Sequence, residues 1–199
     1  MMTETVVVMA VFDPDIDVLR DQFASLDTQY YQDFSVVAVI ADLASHDLVT
    51  QAIAGTNLQV EITTPDTALS APQAFEFGLA VAIKGFPSAQ FFAFCDQDDL
   101  WTRNRLSHCR QALIGAGTDL VHSDATLIDQ NGYETHRSLF ATEGRLENPT
   151  PRDLLYRNTV TGMTTFFTRN LVERALPFPA QDGVHFYHDL WLALLARTG

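Results

Sequence analysis

A strand-length apolar run that ends abruptly in three carboxylates constrains the fold of this chain more than any other feature. Residues 89–95 show no alternation of polar and apolar side chains, which is typical of a strand covered on both faces in a parallel sheet. Asp96, Asp98 and Asp99 follow within four positions. In open α/β sheets, ligands bind just outside the carboxyl ends of the strands. The acidic junction is therefore the first candidate site.

The clustered acids have two interpretations. Repulsion between Asp96 and Asp98 would be relieved by a hard divalent cation that also binds a substrate diphosphate. A solvated acidic turn that caps the next helix would explain the same residues equally well. Acidic clustering by itself leaves both interpretations open.

Earlier apolar segments, each followed by a helical pattern, predict a repeated strand–helix order. The predicted strands are residues 6–12, 34–41 and 58–63, and the predicted helices cover residues 16–26, 47–54 and 72–85. Asp42 follows the second strand as Asp96 follows the fourth. This order predicts an α/β fold with a mostly parallel central sheet flanked by helices, in one domain that covers residues 1–199.

The second half of the chain has weaker patterns. The predicted elements are a helix at 106–113, a short strand at 120–122, a turn at 129–132, an irregular loop at 133–151, a strand at 160–168 and a helix that opens at 185–189. The irregular loop is interpreted either as substrate-facing or as surface decoration. Asp189 would lie in the first turn of the last helix, where the helix dipole favours an ionised carboxylate. An ordinary first-turn acid is the alternative.

Composition narrows the classes of partner and the compartment. A net charge of −13 argues against nucleic acid or an anionic membrane surface as the main partner, but it does not exclude a nucleotide held through a metal. No apolar run reaches the roughly 20 residues that span a bilayer, and the N-terminus lacks the basic flank of a signal peptide. We therefore expect a cytoplasmic protein. Cys95 and Cys109 have neither metal-site nor disulfide spacing and are predicted to be reduced core residues.

Taken in order, these pieces resemble the family 2 glycosyltransferases of the GT-A fold, in particular the rhamnosyltransferase-like members, over nearly the whole chain. The most specific match is Phe-Cys-Asp-Gln-Asp-Asp-Leu-Trp at 94–101, which is similar to the family's DxD signature and its following tryptophan. Residues 12–29 look like the family's first strand and helix, and residues 39–42 look like its base- and ribose-binding strand. Gly162, residues 176–179 and residues 188–191 resemble its acceptor side and catalytic base.

The resemblance implies a GT-A type, Rossmann-like domain that transfers a sugar with inversion from a UDP- or dTDP-linked donor. The acceptor would be a hydroxyl of a growing cell-surface glycan or a lipid-linked saccharide. Asp98, helped by Asp96, would bind Mg²⁺ or Mn²⁺, and Asp189 would be the catalytic base. Asp42 would hold the nucleotide base or the ribose.

Two further residues are placed in the nucleotide-sugar site by the same resemblance. Trp101 would either wall the sugar pocket or anchor its loop. Arg105 would contact phosphate, with a solvated helix charge as the alternative. The resemblance also implies a chain truncated at its C-terminus and a protein that acts in the cytoplasm or peripherally at the inner membrane surface.

Two other functions are open alternatives. Ala41 and Ala74 depart from the family pattern, which makes a catalytically impaired sugar-nucleotide-binding module in a glycan assembly complex the second hypothesis. A metal-dependent nucleotidyltransferase is the third, although the glycine-rich, basic phosphate loop expected after its first strand is absent.

Overall fold

Strands and helices alternate strictly through the first half of the chain. The structure is a computed structural model that describes residues 3–179 and 187–198. The elements of the first half are β1 (Thr5–Val11), α1 (Ile16–Asp27), β2 (Phe34–Ile40), α2 (His46–Ala52), β3 (Val60–Thr63), α3 (Ala71–Gly85) and β4 (Phe91–Asp96). Each agrees with a predicted element to within a few residues. Asp15 begins α1 by accepting hydrogen bonds from two first-turn amides, and Pro72 lies in the first turn of α3.

The second half contains shorter elements. They are α4 (Arg105–Ala116), β5 (Leu120–His122), β6 (Leu127–Ile128), β7 (Glu134–His136), α5 (Leu139–Glu143), α6 (Pro151–Tyr156), β8 (Thr165–Thr168), α7 (Arg169–Ala175) and α8 (His188–Thr198). None of the helices in the described part of the chain has both the length and the apolar character needed to cross a membrane.

The main sheet has the strand order β3-β2-β1-β4-β8-β5. The first four strands are parallel, with Val8 opposite both Val37 and Phe94, whereas β8 runs antiparallel to β4 and to β5. Because β8 is reversed, the turn that precedes it lies at the same edge as the carboxyl ends of the parallel strands. The predicted α/β fold with a mostly parallel central sheet is confirmed.

Helices cover both faces of this sheet. On one face α1, α2 and α4 pack against alternate residues of β1, β2 and β4, and on the other face α3, α7 and α8 pack against the residues between them. All seven residues of β2 are buried, as a strand covered on both sides requires. Gly78 lets α3 approach β1 and β2, because a Cβ there would lie 2.4 Å from a methyl carbon of Val8.

Two predictions for the second half were wrong in detail. Residues 133–151 contain β7 and α5 instead of a continuous irregular loop, because residues 129–132 close a hairpin and the Ser138 hydroxyl accepts a hydrogen bond from Ala141 N at 2.9 Å. Of residues 160–168, only the last four form a strand, since residues 162–164 form a 3₁₀ turn. The last helix begins at His188, and residues 185 and 186 lie outside the described part.

Candidate active site

The loops that follow β1, β2 and β4 are tied together at the carboxyl edge of the sheet. The side-chain amide of Gln97 accepts a hydrogen bond from Phe12 N at 2.8 Å and donates one to Phe12 O at 2.9 Å. The Asp42 carboxylate accepts one from Asp13 N at 2.8 Å. These contacts bring together three strand ends that are far apart in sequence.

Asp42 is held by its own turn. One oxygen accepts hydrogen bonds from Ala44 N at 3.0 Å and Ser45 N at 3.1 Å, and the other accepts from Asp13 N and the Ser45 hydroxyl. Burial raises the pKa of Asp42, but these hydrogen bonds outweigh it and lower the pKa to about 2. The turn also carries Leu43 at a φ of +67°, a conformation that non-glycine residues rarely adopt.

The internal hydrogen bonds have a consequence for the predicted nucleotide contact. Each carboxylate oxygen offers two lone pairs, so the four donors use every acceptor position of Asp42. Its binding to a base or ribose stays a prediction and requires one of these donors to be replaced.

A cavity of about 470 Å³ opens beside this edge. We call it the Asp98 cavity; its walls include Ala10, Phe12, Ala41, Leu69, Asp96 and Asp98. The N-terminal end of α3, at Ser70 and Ala71, also reaches it. One side is therefore apolar, the other carries two carboxylates, and the positive end of a helix dipole lies at the border.

In the acidic loop, residues 96–99 at the end of β4, two carboxyl groups have raised pKa values. Burial, and then repulsion from Asp98 and from Asp189, raises the pKa of Asp96 to about 6. Burial, and then repulsion from Asp96 and Asp98, raises the pKa of Asp99 to about 7, against the lowering effect of Arg105. Asp98 is exposed. Closely spaced carboxylates that oppose one another's ionisation are a functional-site signal.

Asp189 approaches this loop from the other end of the chain. It lies in the first turn of α8, and its charge is one of the causes that raise the pKa of Asp96. Asp189 accepts hydrogen bonds from Asn158 Nδ2 at 2.9 Å, from Gly162 N at 3.2 Å and from Leu190 N at 2.7 Å. Burial raises the pKa of Asp189, and these three donors lower it, with burial the larger effect. The structure thus brings the predicted base and the predicted metal-binding acids together.

His188 fills the space behind Asp189. Its ring centroid lies 4.3 Å from that of Phe75 and 5.0 Å from that of Phe94, and burial lowers its pKa to about 4. A Cβ at position 162 would lie 2.5 Å from His188 Nε2, so glycine is required for the ring to fit. His188 is therefore a neutral packing residue next to the acid.

Trp101 and Arg105 lie at a second cavity and not at the Asp98 cavity. This second cavity, about 340 Å³, is called the Trp101 cavity; it is lined by residues that include Asp99, Trp101, Arg105, His108, Ser123 and Met163. The Arg105 guanidinium donates to Ser123 Oγ at 2.9 Å and to Met163 O at 2.6 Å, and it lies 4.4 Å from the Trp101 ring centroid. Arg105 is thus neither a solvated helix charge nor placed in the Asp98 cavity.

Trp101 anchors its loop and also lines a cavity, and its role as the wall of a sugar pocket stays a prediction. Its backbone amide donates to Ser25 Oγ at 3.0 Å, which anchors the acidic loop to α1, and its ring is 6% exposed on the wall of the Trp101 cavity. Within the described chain, Trp101 Nε1 and Arg105 Nε are buried N–H donors without an acceptor. Unpaired buried donors are rare in proteins.

The donor set fits a divalent cation that shares its ligands with a substrate. Among residues 3–179 and 187–198, no three His, Cys, Asp or Glu side chains form a ready-made cage. Mg²⁺ is usually held by one or two carboxylates together with phosphate oxygens and water. Asp96 and Asp98 provide such a pair.

Sequence reasoning missed three contributors to this site. Asp99 was seen as part of the acidic run but was given no role, although it lines the Trp101 cavity. Gln97 and Asn158 were not considered, because a hydrogen bond between residues 85 or 31 positions apart leaves no local pattern. Gly162, which contacts Asp189 in the structure, was recognised in the sequence through the family resemblance.

The fold is shared with solved structures of S. aureus TarS residues 1–349. One structure of TarS 1–349 has a TM-score of 0.67 at 15% identity, over 97% of this chain and 55% of that chain. The complex with UDP-GlcNAc has a TM-score of 0.69 at 16% identity, over 98% and 53%, and the complex with UDP has 0.62 at 15%, over 86% and 48%. The chain therefore shares the fold of these TarS structures and spans about half the length of their chains.

Comparisons of the sequence do not assign the chain to a family. No family model matches the chain, and no curated protein matches it.

Proposed function

We propose that this chain is a metal-dependent, inverting glycosyltransferase that uses a UDP- or dTDP-linked sugar. The observation that carries the proposal is that Asp189, at the start of α8, lies close enough to Asp96, at the end of β4, for its charge to raise the pKa of Asp96. Asp98 acts on Asp96 in the same way. A fold shared with a protein crystallised with UDP-GlcNAc and with UDP supports the same function.

The nucleotide would occupy the Asp98 cavity. Its volume of about 470 Å³ lies within the range of small-molecule sites. Phe12, which is 61% exposed at the rim, offers an apolar surface for a planar base, and the N-terminal end of α3 offers a positive field for a diphosphate. These features complement the two chemically different ends of a nucleoside diphosphate.

Asp96 and Asp98 would hold Mg²⁺ or Mn²⁺ together with the diphosphate oxygens. When bound, the cation neutralises negative charge that develops on the departing nucleoside diphosphate. A cation would also offset the burial and the repulsion that together raise the pKa of Asp96 to about 6.

Asp189 would act as the general base toward the acceptor. The acceptor oxygen forms a bond to the anomeric carbon, the bond from that carbon to the diphosphate breaks, and its electron pair leaves with the diphosphate. The hydroxyl proton moves to the Asp189 carboxylate. Direct displacement in one step inverts the configuration at the anomeric carbon.

The Trp101 cavity would bind a sugar ring. A sugar hydroxyl donates and accepts hydrogen bonds at once, so it needs both kinds of partner from the protein. The cavity offers unpaired donors at Trp101 Nε1 and Arg105 Nε, and the Asp99 carboxylate is an acceptor that makes no hydrogen bond within the described residues. Donors and an acceptor that lack partners in one cavity match a polyhydroxyl ligand better than a purely anionic or apolar one.

The finer assignment follows the family resemblance. We propose a hexosyl- or rhamnosyltransferase-like activity toward a hydroxyl of a growing cell-surface glycan or of a lipid-linked saccharide. The enzyme would act as one GT-A domain of residues 1–199, in the cytoplasm or at the inner membrane surface.

A catalytically impaired sugar-nucleotide-binding module is the second candidate. The observation that favours it is Asp42, whose acceptor positions are occupied by its own turn and therefore offer the nucleotide no free oxygen. The affinity of such a module for the nucleotide would be low.

Calorimetric titration with UDP and dTDP, with and without Mn²⁺, tests the proposal. We expect binding of at least one nucleotide that requires the metal, and release of that nucleotide from its sugar conjugates during turnover. Asp189→Asn is expected to lower turnover by roughly 10²- to 10⁴-fold while nucleotide affinity is kept, because the base acts on the acceptor. If neither nucleotide binds in the presence of Mn²⁺, the glycosyltransferase proposal is overturned.

A further inference from the structure

Asn158 links the turn after α6 to the acid at the start of α8. It follows α6 by two positions, and its side-chain nitrogen donates a hydrogen bond to Asp189 Oδ1 at 2.9 Å. Its neighbour Val160 is 2% exposed, which fixes the turn against the core.

A second hydrogen bond determines the orientation of the Asn158 amide. Val160 N donates to Asn158 Oδ1 at 3.0 Å. Because a backbone N–H can only donate, the atom that it contacts must be the amide oxygen, and the NH₂ group must then point to Asp189. An aspartate at position 158 could accept the same Val160 hydrogen bond but could not donate to Asp189.

The donors around Asp189 are distributed unequally over its two oxygens. Oδ1 accepts from Asn158 Nδ2 and from Leu190 N, which uses both of its lone pairs. Oδ2 accepts from Gly162 N at 3.2 Å. The backbone amide of Asp189 also donates to this carboxylate. Asn158 is therefore the only side chain among these donors.

We propose that Asn158 is a positioning residue that fixes the orientation of the Asp189 carboxylate toward the acceptor hydroxyl. The inference rests on the proposed role of Asp189 as base and specifies which side chain holds that base in place. Loss of the Asn158 donor would free the carboxylate to rotate about its Cβ–Cγ bond and would leave Oδ1 short of one donor in a partly buried site.

Two titratable groups adjoin Asp189 and must be kept constant in any test. Asp96, on the β4 side, acts on Asp189 through its charge, and His188, on the same helix, packs as a neutral ring between Phe75 and Phe94. Asn158 and Gly162, the partners from the turn before β8, carry no charge. Substitutions at Asn158 leave both titratable neighbours in place.

The test compares Asn158→Asp with Asn158→Ala in the full chain. Aspartate labelled with ¹³C at the carboxyl carbon reports each Asp ionisation by NMR in metal-free buffer, and Asp189→Asn assigns the Asp189 signal. We expect the Asp189 carboxyl group to titrate about 1 pH unit higher in both Asn158 variants than in the unmodified chain. Each variant removes a hydrogen bond to the ionised form of Asp189. The aspartate variant should shift at least as far, since a like charge then faces Oδ1.

The aspartate variant separates positioning from a simple turn role. It keeps the acceptor for Val160 N, so a turn role alone predicts wild-type turnover in Asn158→Asp, whereas the titration shift of this variant also reports the new like charge. That result would overturn the inference, as would an unchanged titration in both variants. Since Asn158→Asp retains the turn contact, it decides the question even where the alanine variant does not fold.

The same experiment distinguishes failure of this inference from failure of the proposed function. The Asp189 titration is measured without substrate and reports the Asn158 contact whether or not sugar is transferred. If Asp189→Asn transfers sugar as fast as the unmodified chain, the general-base role is lost. In that case the NMR shift would still confirm the Asn158 contact, but positioning of a base would be refuted.

Discussion

The acidic loop after β4 and the Asp42 turn after β2 lie at the same edge of the sheet, and both carry carboxylates that sequence reasoning placed in the site. They differ in how the carboxylates are satisfied. In the acidic loop, burial and repulsion from neighbouring carboxylates raise the pKa of Asp96 to about 6 and the pKa of Asp99 to about 7. In the turn, four hydrogen bonds lower the pKa of Asp42 to about 2 against the effect of burial.

This difference separates a carboxylate that binds a ligand from one that stabilises the fold. A carboxylate with all its acceptor positions filled by the protein gains little from a ligand, and its loss weakens the fold. A carboxylate held close to others without donors is poorly satisfied until a cation or hydroxyl arrives. We therefore expect substitutions in the two regions to have opposite effects on binding and on stability.

Asp98→Ala should have the largest effect and should act on binding. We expect the metal-dependent affinity for UDP or dTDP to fall by about 10- to 100-fold, because a cation ligand is lost, while the melting temperature stays the same, because Asp98 is exposed. Calorimetric titration with Mn²⁺ measures the first and thermal unfolding the second. Asp21→Ala, which removes an exposed acid on α1, is the matched control for charge. Unchanged metal dependence in Asp98→Ala would remove Asp98 from the site.

Asp42→Ala should show the reverse pattern. The substitution leaves Asp13 N, Ala44 N, Ser45 N and the Ser45 hydroxyl without their acceptor, which we expect to cost about 2 kcal/mol of unfolding free energy. For a chain of this length the melting temperature would fall by about 4–8 °C. Differential scanning calorimetry checks this expectation. A stable variant with lost nucleotide binding would instead restore Asp42 as a ligand contact.

The contribution of Asp42 to stability should disappear in acid. Its pKa is about 2 in the folded protein and is higher in the unfolded chain, so the unfolded state takes up protons first as the pH falls. Stability that is fully present above about pH 5 is therefore lost as the pH approaches 2. We expect the stability difference between the unmodified chain and Asp42→Asn to narrow by about 1 kcal/mol between pH 6 and pH 3. Urea unfolding at both pH values measures it, and a constant difference would contradict the assignment.

Trp101→Phe should have the smallest effect, and it extends the comparison to the second cavity. The change removes the unpaired Nε1–H while it keeps an aromatic ring, so stability should be unchanged or slightly higher. If the donor binds a sugar hydroxyl, transfer efficiency should drop by about threefold to tenfold. Steady-state kinetics with the best donor found by titration gives the answer. Full activity in this variant would make Trp101 an anchor of the loop only.

Local sequence patterns were sufficient for the elements that repeat. Strands at 6–12 and 34–41 were recognised because each has a continuous apolar run followed by turn residues. Such a run is typical of a central parallel strand that is buried on both faces. The acidic junction after residue 95 was recognised for the same reason, since its position at a strand end follows from the strand itself.

The role of each acid could not be derived in this way. Asp42 and Asp96 both lie at the carboxyl ends of strands that flank β1, yet Asp42 meets the amides of its own turn and Asp96 meets Asp98 and Asp189. Arg105 resembled a surface helix charge or a phosphate contact, and it became an internal residue because its partners, Ser123 and Met163, come from distant segments. Whether a polar side chain finds hydrogen-bond partners depends on residues that are close in space but distant in sequence. The periodicity of the sequence does not predict these neighbours.

The sequence by itself determined the layered α/β architecture and the edge of the sheet where the acids gather, because both follow from short-range hydrophobic periodicity and from where each strand ends. Only the tertiary structure decided which acids were left unsatisfied and which donors hold the Asp189 carboxylate. The reason is physical: a carboxylate is shaped by the donors and charges within a few ångströms of it, and here Asn158 and Asp96 reach Asp189 from other parts of the chain.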